Sequence, residues 1–149
     1  MSLQIEVNEK IKDAMRAKDK LALESLRAIK SALLTAQTEA GASAEMSSDD
    51  EIKLLQRLVK QRRESAGIYN TQGRPDLAEP EILQAEIIEK FLPTQLTEEE
   101  IEIVVARVIA ESGASGMASM GKVMGLVSAE LAGKADGKTI SNVVKRLLA

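Results

Sequence analysis

Apolar residues recur at three- and four-residue intervals in seven separate stretches of this chain, and that spacing is the pattern of one buried helical face repeated seven times. The stretches are Leu3/Val7/Ile11/Met15, Leu23/Leu26/Ile29/Leu33/Leu34, Ile52/Leu55/Val59/Ala66, Leu77/Leu83/Ile87/Ile88/Phe91, Ile101/Val104/Val105/Val108, Met120/Val123/Met124/Val127/Leu131 and Ile140/Val143/Val144/Leu147. Residues favoured in strands are few: Tyr69 and Phe91 are the only aromatics, and there is no Trp. The β-branched residues fall inside the helix-period pattern, where they belong to helical faces. The expected fold class is all-α, without a sheet.

Local signals punctuate the pattern. A first helix is expected from about Leu3 to Ala17, with Glu6 and Lys10 as a favourable outer pair. Asp19 is placed to cap a second helix running to about Ala40. A loop follows over Gly41–Ser47, and Ser48 with Glu51 reads as a capping box opening the third helix. Gly73 suits a left-handed helix end and Pro75 the first turn of a fourth helix, inside which Pro80 removes one backbone hydrogen bond. Pro93 disfavours helix at Leu92, and Thr97 with Glu100 forms a second capping box. Three short helices are expected beyond it, over about 98–111, 120–132 and 137–148. The organisation read here is a domain of about four helices over 1–93 and a small three-helix domain over 94–149.

The 149 residues contain no Cys and no His. That removes the disulfide, the thiol nucleophile, the best transition-metal ligands and the commonest general base. Acidic clusters at Asp49-Asp50-Glu51 and Glu98-Glu99-Glu100 occupy first-turn positions, where carboxylates complement the helix dipole. No catalytic residue, no metal site and no cofactor are assigned. Gly116-Met117-Ala118-Ser119-Met120-Gly121-Lys122 matches G-x-x-x-x-G-K, but Val123 stands where magnesium binding needs Ser or Thr, and a helix precedes it instead of a strand. The match is read as accidental.

The N-terminus lacks a basic segment followed by an apolar run, and no apolar stretch approaches the ~20 residues of a membrane span. A cytoplasmic protein of bacterial type is the expectation, with no membrane partner.

Net charge is −3, which opposes broad attraction to nucleic acid. Its distribution is uneven: past Gly113 stand Lys122, Lys134, Lys138, Lys145 and Arg146 against only Glu130 and Asp136. Helix starts at Ser119 and Asp136 could add backbone amides to those cations for an anion. Equally, Gly121 and Gly125 could serve close helix packing. A second basic strip, Lys53, Arg57, Lys60, Arg62 and Arg63, lies on the third helix; a solvated face paired with acids such as Glu64 is the favoured reading.

Several segments resemble a known family. Gly121-Lys122-Val123-Met124-Gly125, Leu131, Gly133-Lys134-Ala135-Asp136-Gly137-Lys138 and Asn142-Val143-Val144 are similar to the GatB/YqeY domain. Lys60-Gln61-Arg62-Arg63-Glu64-Ser65, Gly73-Arg74-Pro75-Asp76-Leu77-Ala78 and Phe91-Leu92-Pro93-Thr94-Gln95-Leu96 resemble the stand-alone YqeY proteins specifically. Ser119 departs from the family pattern, which more often has an acid there. The resemblance covers essentially the whole chain. It implies an all-α fold and kinship with the tail of the B subunit of the glutamine-dependent aspartyl/glutamyl-tRNA amidotransferase, a tail that contacts tRNA while amide transfer happens elsewhere. A carbon–nitrogen ligase label with glutamine as amido-N-donor would be inherited from those other parts.

The leading expectation is a non-catalytic accessory protein that binds tRNA or another folded RNA, with Lys122, Lys134, Lys138, Lys145 and Arg146 as phosphate contacts. The scarcity of aromatics argues against base stacking and for recognition of RNA shape. The alternatives are a component of a tRNA-dependent amidotransferase that needs partner subunits, and a helical protein-interaction module. Amidotransferase or aminoacyl-tRNA synthetase components are the expected protein partners.

Overall fold

The computed structural model describes residues 2–41 and 46–149; Ala42–Glu45 of the expected loop lie outside the described residues. Among the described residues seven α-helices follow in order: α1 Leu3–Ala17, α2 Lys20–Ala40, α3 Ser48–Thr71, α4 Pro75–Glu89, α5 Glu98–Ser112, α6 Met120–Glu130 and α7 Gly137–Leu148, with a 3-10 turn Met117–Ser119 leading into α6. The fold is all-α, and no strand occurs among the described residues. The chain divides into two compact units, Met1–Leu92 and Pro93–Ala149.

Helix starts follow the capping chemistry. Asp19 accepts the Ala22 amide at 3.1 Å, and Thr97 and Glu100 form the reciprocal box that opens α5. The third helix starts one residue earlier than expected: Ser47 is the cap, accepting the Asp50 amide at 3.1 Å. Two adjacent serines offer the same hydroxyl, and the extended backbone of Ser47 (φ −70°, ψ 159°) decides between them. At the other end of α3, the Gly73 amide bonds Asn70 O and the Arg74 amide bonds Tyr69 O. This pair of bonds needs a left-handed residue at Gly73, whose φ is +71°. Pro75 then starts α4, which runs unbroken through Pro80.

In the first unit, Leu3 and Val7 of α1, Leu26, Ile29 and Leu33 of α2, Leu54, Leu55 and Val59 of α3, and Ala85 and Ile88 of α4 are buried together. Several stripe members lie outside this core. Met15 is 57% exposed while Ala14 is buried. A step of four residues turns about 40° beyond a full circle, so three steps from Leu3 carry Met15 about 120° away, and Ala14 comes back under Leu3. Leu34 of α2 and Leu77 and Leu83 of α4 are exposed. The buried face of α4 is Ala78, Ala85 and Ile88: Ile88 is as expected from the stripe, and two alanines stand in place of the leucines. Ser25 is the one buried polar side chain among the described residues, and its hydroxyl donates to Leu21 O at 2.9 Å, which satisfies it.

The second unit is built around Ile101, Val105 and Val108 of α5, Val123 and Val127 of α6, Leu131, and Ile140, Val143, Val144 and Leu148 of α7. Leu148 takes the buried place expected for Leu147, which is 39% exposed at the end of α7. Each such aliphatic side chain contributes about 1.5–3 kcal/mol on burial. A unit of under 60 residues needs most of them to offset its chain entropy.

Candidate nucleic-acid interface

The cations of the second unit separate into two chemical kinds. Its arginines are engaged by carboxylates. Arg107 on α5 pairs with Glu111 at 3.2 Å and with Glu130 of α6. The Glu130 hydrogen bond and charge hold the Arg107 guanidinium above its ordinary pKa. Arg146, in the last turn of α7, reaches Glu98 at 3.2 Å and also Glu102. Glu98 and Glu102 stand one turn apart on α5, so they present two carboxylates on one face. The lysines are different. Lys122, Lys134, Lys138 and Lys145 are all exposed, and among the described residues none has a carboxylate within ion-pair distance. Arg146 therefore enters the site already neutralised, while the four lysines keep their charge.

Three elements carry those lysines. Lys122 lies in the first turn of α6, Lys134 in the turn between α6 and α7, and Lys138 and Lys145 on α7. Seven residues separate Lys138 from Lys145, which is within about 20° of two full turns, so they share a face.

Some of the backbone amides expected to assist these charges already have partners. Ser119 does not cap α6: its hydroxyl donates to Ser115 O at 3.2 Å and accepts the Ser115 amide at 3.3 Å. The 3-10 turn runs straight into α6, so the Ser119 amide already bonds Gly116 O at 3.1 Å. At α7 the Asp136 carboxylate accepts the Thr139 amide at 2.6 Å, which places a negative charge where an anion was expected. The exposed cations here include the side chains of Lys122, Lys134, Lys138 and Lys145. At Gly121 and Gly125 an added Cβ would have no heavy atom within 4 Å, so neither glycine is required by helix packing within the chain.

The turn that holds Lys134 is fastened from the start of the unit. The Gln95 side-chain amide donates to Pro93 O at 2.8 Å and to Gly133 O at 2.7 Å. The Leu96 amide donates to Lys134 O at 2.9 Å. Sequence reasoning singled out neither residue for this task; both lie in the segment Phe91-Leu92-Pro93-Thr94-Gln95-Leu96, and only the contact across 38 residues shows what they do.

The strip on α3 divides as well. Arg62 donates to Gln84 at 3.0 Å and lies 3.9 Å from Glu81, and Arg63 pairs with Glu89 at 2.6 Å. These arginines tie α3 to α4. Lys60 pairs with Glu64 at 4.0 Å, as the solvated-face reading expects. Lys53 and Arg57 are exposed, without an ion-pair partner among the described residues. The acids Asp49, Asp50 and Glu51 stand in the first turn of α3, and Glu98, Glu99 and Glu100 in that of α5. Among the described residues no group of three acidic, His or Cys side chains is arranged to hold a metal ion. No helix there is long and apolar enough to cross a membrane.

Known proteins share this chain's pattern. The family model described as Yqey-like protein matches residues 4–148. A 71-residue stretch, 45% of the chain, is 39% identical to the E subunit of glutamyl-tRNA(Gln) amidotransferase from Thermococcus gammatolerans and corresponds to 11% of that protein. Altered inheritance of mitochondria protein 41, mitochondrial, of Pyrenophora tritici-repentis is 29% identical over 143 residues, 93% of this chain and 76% of that protein. The protein of the same name from Clavispora lusitaniae is 37% identical over 82 residues, 55% of this chain and 46% of that protein.

Proposed function

The chain belongs to the Yqey-like protein family, and on that premise we propose that it is a non-catalytic accessory protein that binds tRNA or another folded RNA. The observation that carries this reading is the division of cations in the second unit. Carboxylates neutralise Arg107 and Arg146, and what remains is four unpaired lysines on α6, α7 and the turn between them. A surface of that kind attracts a phosphate backbone without reading bases. The amidotransferase relative from Thermococcus gammatolerans supports the choice of RNA, since its name places that protein on tRNA. A second reading, supported by the same relative, is a component of a carbon–nitrogen ligase that acts with partner subunits. Here the chain would supply RNA contact and the partners the glutamine chemistry, because the sequence has neither His nor Cys. Amidotransferase or aminoacyl-tRNA synthetase components would be those partners. A reducing compartment suits a chain without cysteine; we place this one in the cytoplasm, whereas the fungal relatives are named as mitochondrial.

Titrating the full chain with purified tRNA over a range of salt tests the reading. Three to four phosphate contacts give weak to moderate affinity with a log–log salt slope of about −3. Reversing Lys134 and Lys138 to Glu should weaken binding and flatten the slope with helicity unchanged. Reversing Lys10 and Lys12 on α1 should do little. Equal loss from both pairs, or no binding at low salt, would turn the assignment towards a protein partner.

A further inference from the structure

We propose that Gln95 is a positioning residue that presents Lys134 to an RNA phosphate; this rests on the RNA-binding reading above. Of the four unpaired lysines, Lys122, Lys138 and Lys145 sit on helices, where the backbone ladder fixes each Cα. Lys134 lies outside any helix, and its backbone is held by other means. Its own amide donates to Leu131 O at 2.9 Å, and its carbonyl accepts the Leu96 amide at 2.9 Å. The carbonyl before it, on Gly133, accepts Gln95 Nε2 at 2.7 Å. The peptide groups on both sides of the lysine each carry at least one of these bonds, and its charged side chain is exposed.

Gln95 suits this task chemically. Both of its partners, Pro93 O and Gly133 O, are acceptors, so only the NH2 end of the amide can face them. The residue after it, Leu96, packs against the apolar core of the second unit, which anchors the clamp. Gly133 is buried with φ +79°, a left-handed turn that directs its carbonyl to Gln95. A lysine on a fixed turn loses less freedom on meeting a phosphate than one on a loose loop, and that difference appears as affinity.

A double-mutant cycle in the full chain tests the role, with purified tRNA as the probe and salt titrations as the readout. Gln95→Met keeps the length of the side chain and removes the donors; Gln95→Asn keeps the donors and shortens the reach. Lys134→Ala should reduce the magnitude of the salt slope by about one. Each Gln95 variant should weaken binding by a smaller factor than Lys134→Ala does, without loss of helicity. Placed on Lys134→Ala, a Gln95 variant should change nothing further. Placed on Lys122→Ala, it should weaken binding by the same factor as in the unmodified protein. Equal effects on both backgrounds would mean that a loosened unit, not a displaced Lys134, is responsible, and the proposal falls while RNA binding stands. A Gln95 variant that binds as tightly as the parent overturns it too. If the unmodified protein binds no tRNA at all, the functional reading fails first and takes this inference with it.

Discussion

Arg74 holds Asp76 with two parallel hydrogen bonds, Nε to Oδ1 at 3.0 Å and Nη2 to Oδ2 at 2.9 Å, spanning the proline that begins α4. The guanidinium holds the Asp76 carboxyl below its ordinary value, and the carboxylate raises the arginine in turn. Over the pH range between the lowered folded value and the ordinary one, the unfolded chain binds more protons than the folded chain. The pair therefore contributes stability above the ordinary carboxyl pKa and loses it as pH falls through the folded one. In an NMR titration of carboxyl carbons, Asp76 should titrate below the ordinary carboxyl value, and Arg74→Gln should raise it. An Asp76 titration unchanged by that substitution would remove the pair as the cause.

Neutralisation of Arg146 by Glu98 and Glu102 predicts unequal roles for adjacent cations. Lys145→Ala should weaken tRNA binding more than Arg146→Ala. Exposed ion pairs are worth at most about 1 kcal/mol, so Arg146→Ala should also lower stability by no more than that. Replacing Glu98 and Glu102 with Gln releases the guanidinium and should tighten RNA binding. A larger binding loss from Arg146→Ala than from Lys145→Ala would show that the arginine leaves its carboxylates for phosphate.

Ala78 and Ala85 of α4 are fully buried, and Ala85 lies in the core of the first unit. Ala85→Leu should destabilise the first unit by about 1–3 kcal/mol through overpacking, measured by urea denaturation. Leu83→Ala, at a position 37% exposed, should be much milder. A reversed order would mean that the leucine face of α4 is covered in solution.

Gly125 lies in the middle of α6 with no heavy atom within 4 Å of an added Cβ. Gly125→Ala should accordingly raise stability by about 0.5–1 kcal/mol, through helix propensity and a less disordered unfolded chain. A fall in melting temperature would reveal a neighbour that the isolated chain does not supply.

Limited proteolysis with a broad-specificity protease should cut after Thr94, past the two peptide bonds of Pro93 that ordinary proteases resist and at the edge of the residues held by the Lys134 turn. Thr94 is exposed, whereas Gln95 and Leu96 are half-buried and hydrogen-bonded, and proteases need a segment that can leave its partners. Cleavage after Leu96 at an equal rate would mean that the clamp opens readily.

What could be read in the sequence was what depends on neighbours a few residues away. Asp19, Thr97 with Glu100, Gly73 and Pro75 act within one turn of their own helix ends, and each does what its residue type implies. Ser47 and Ser48 could not be separated, because one hydroxyl chemistry serves both positions. Leu77 and Leu83 are expected in the core from the apolar spacing of α4; Ile88 of that pattern is buried, but Ala78 and Ala85 take the places of the leucines, because which side of a helix meets its neighbours is set by packing across the fold. The site shows the same divide. The surplus of lysines past Gly113 is a property of the chain, but the capture of Arg146 by Glu98 and Glu102 joins residues 48 and 44 positions apart. The clamp of Gln95 on Gly133 likewise exists only once α6 and α7 have packed.

The alanines of α4 act as a ruler. Ala78 and Ala85 recur at an interval of seven, and sliding α4 forward by four residues would bring Ile82 and Glu89 into their places. Sliding it back by four would bring Arg74 and Glu81. Each alternative puts larger side chains at these two buried positions and is disfavoured for that reason. The observed alignment is also the one in which Arg62 and Arg63 meet Gln84, Glu81 and Glu89.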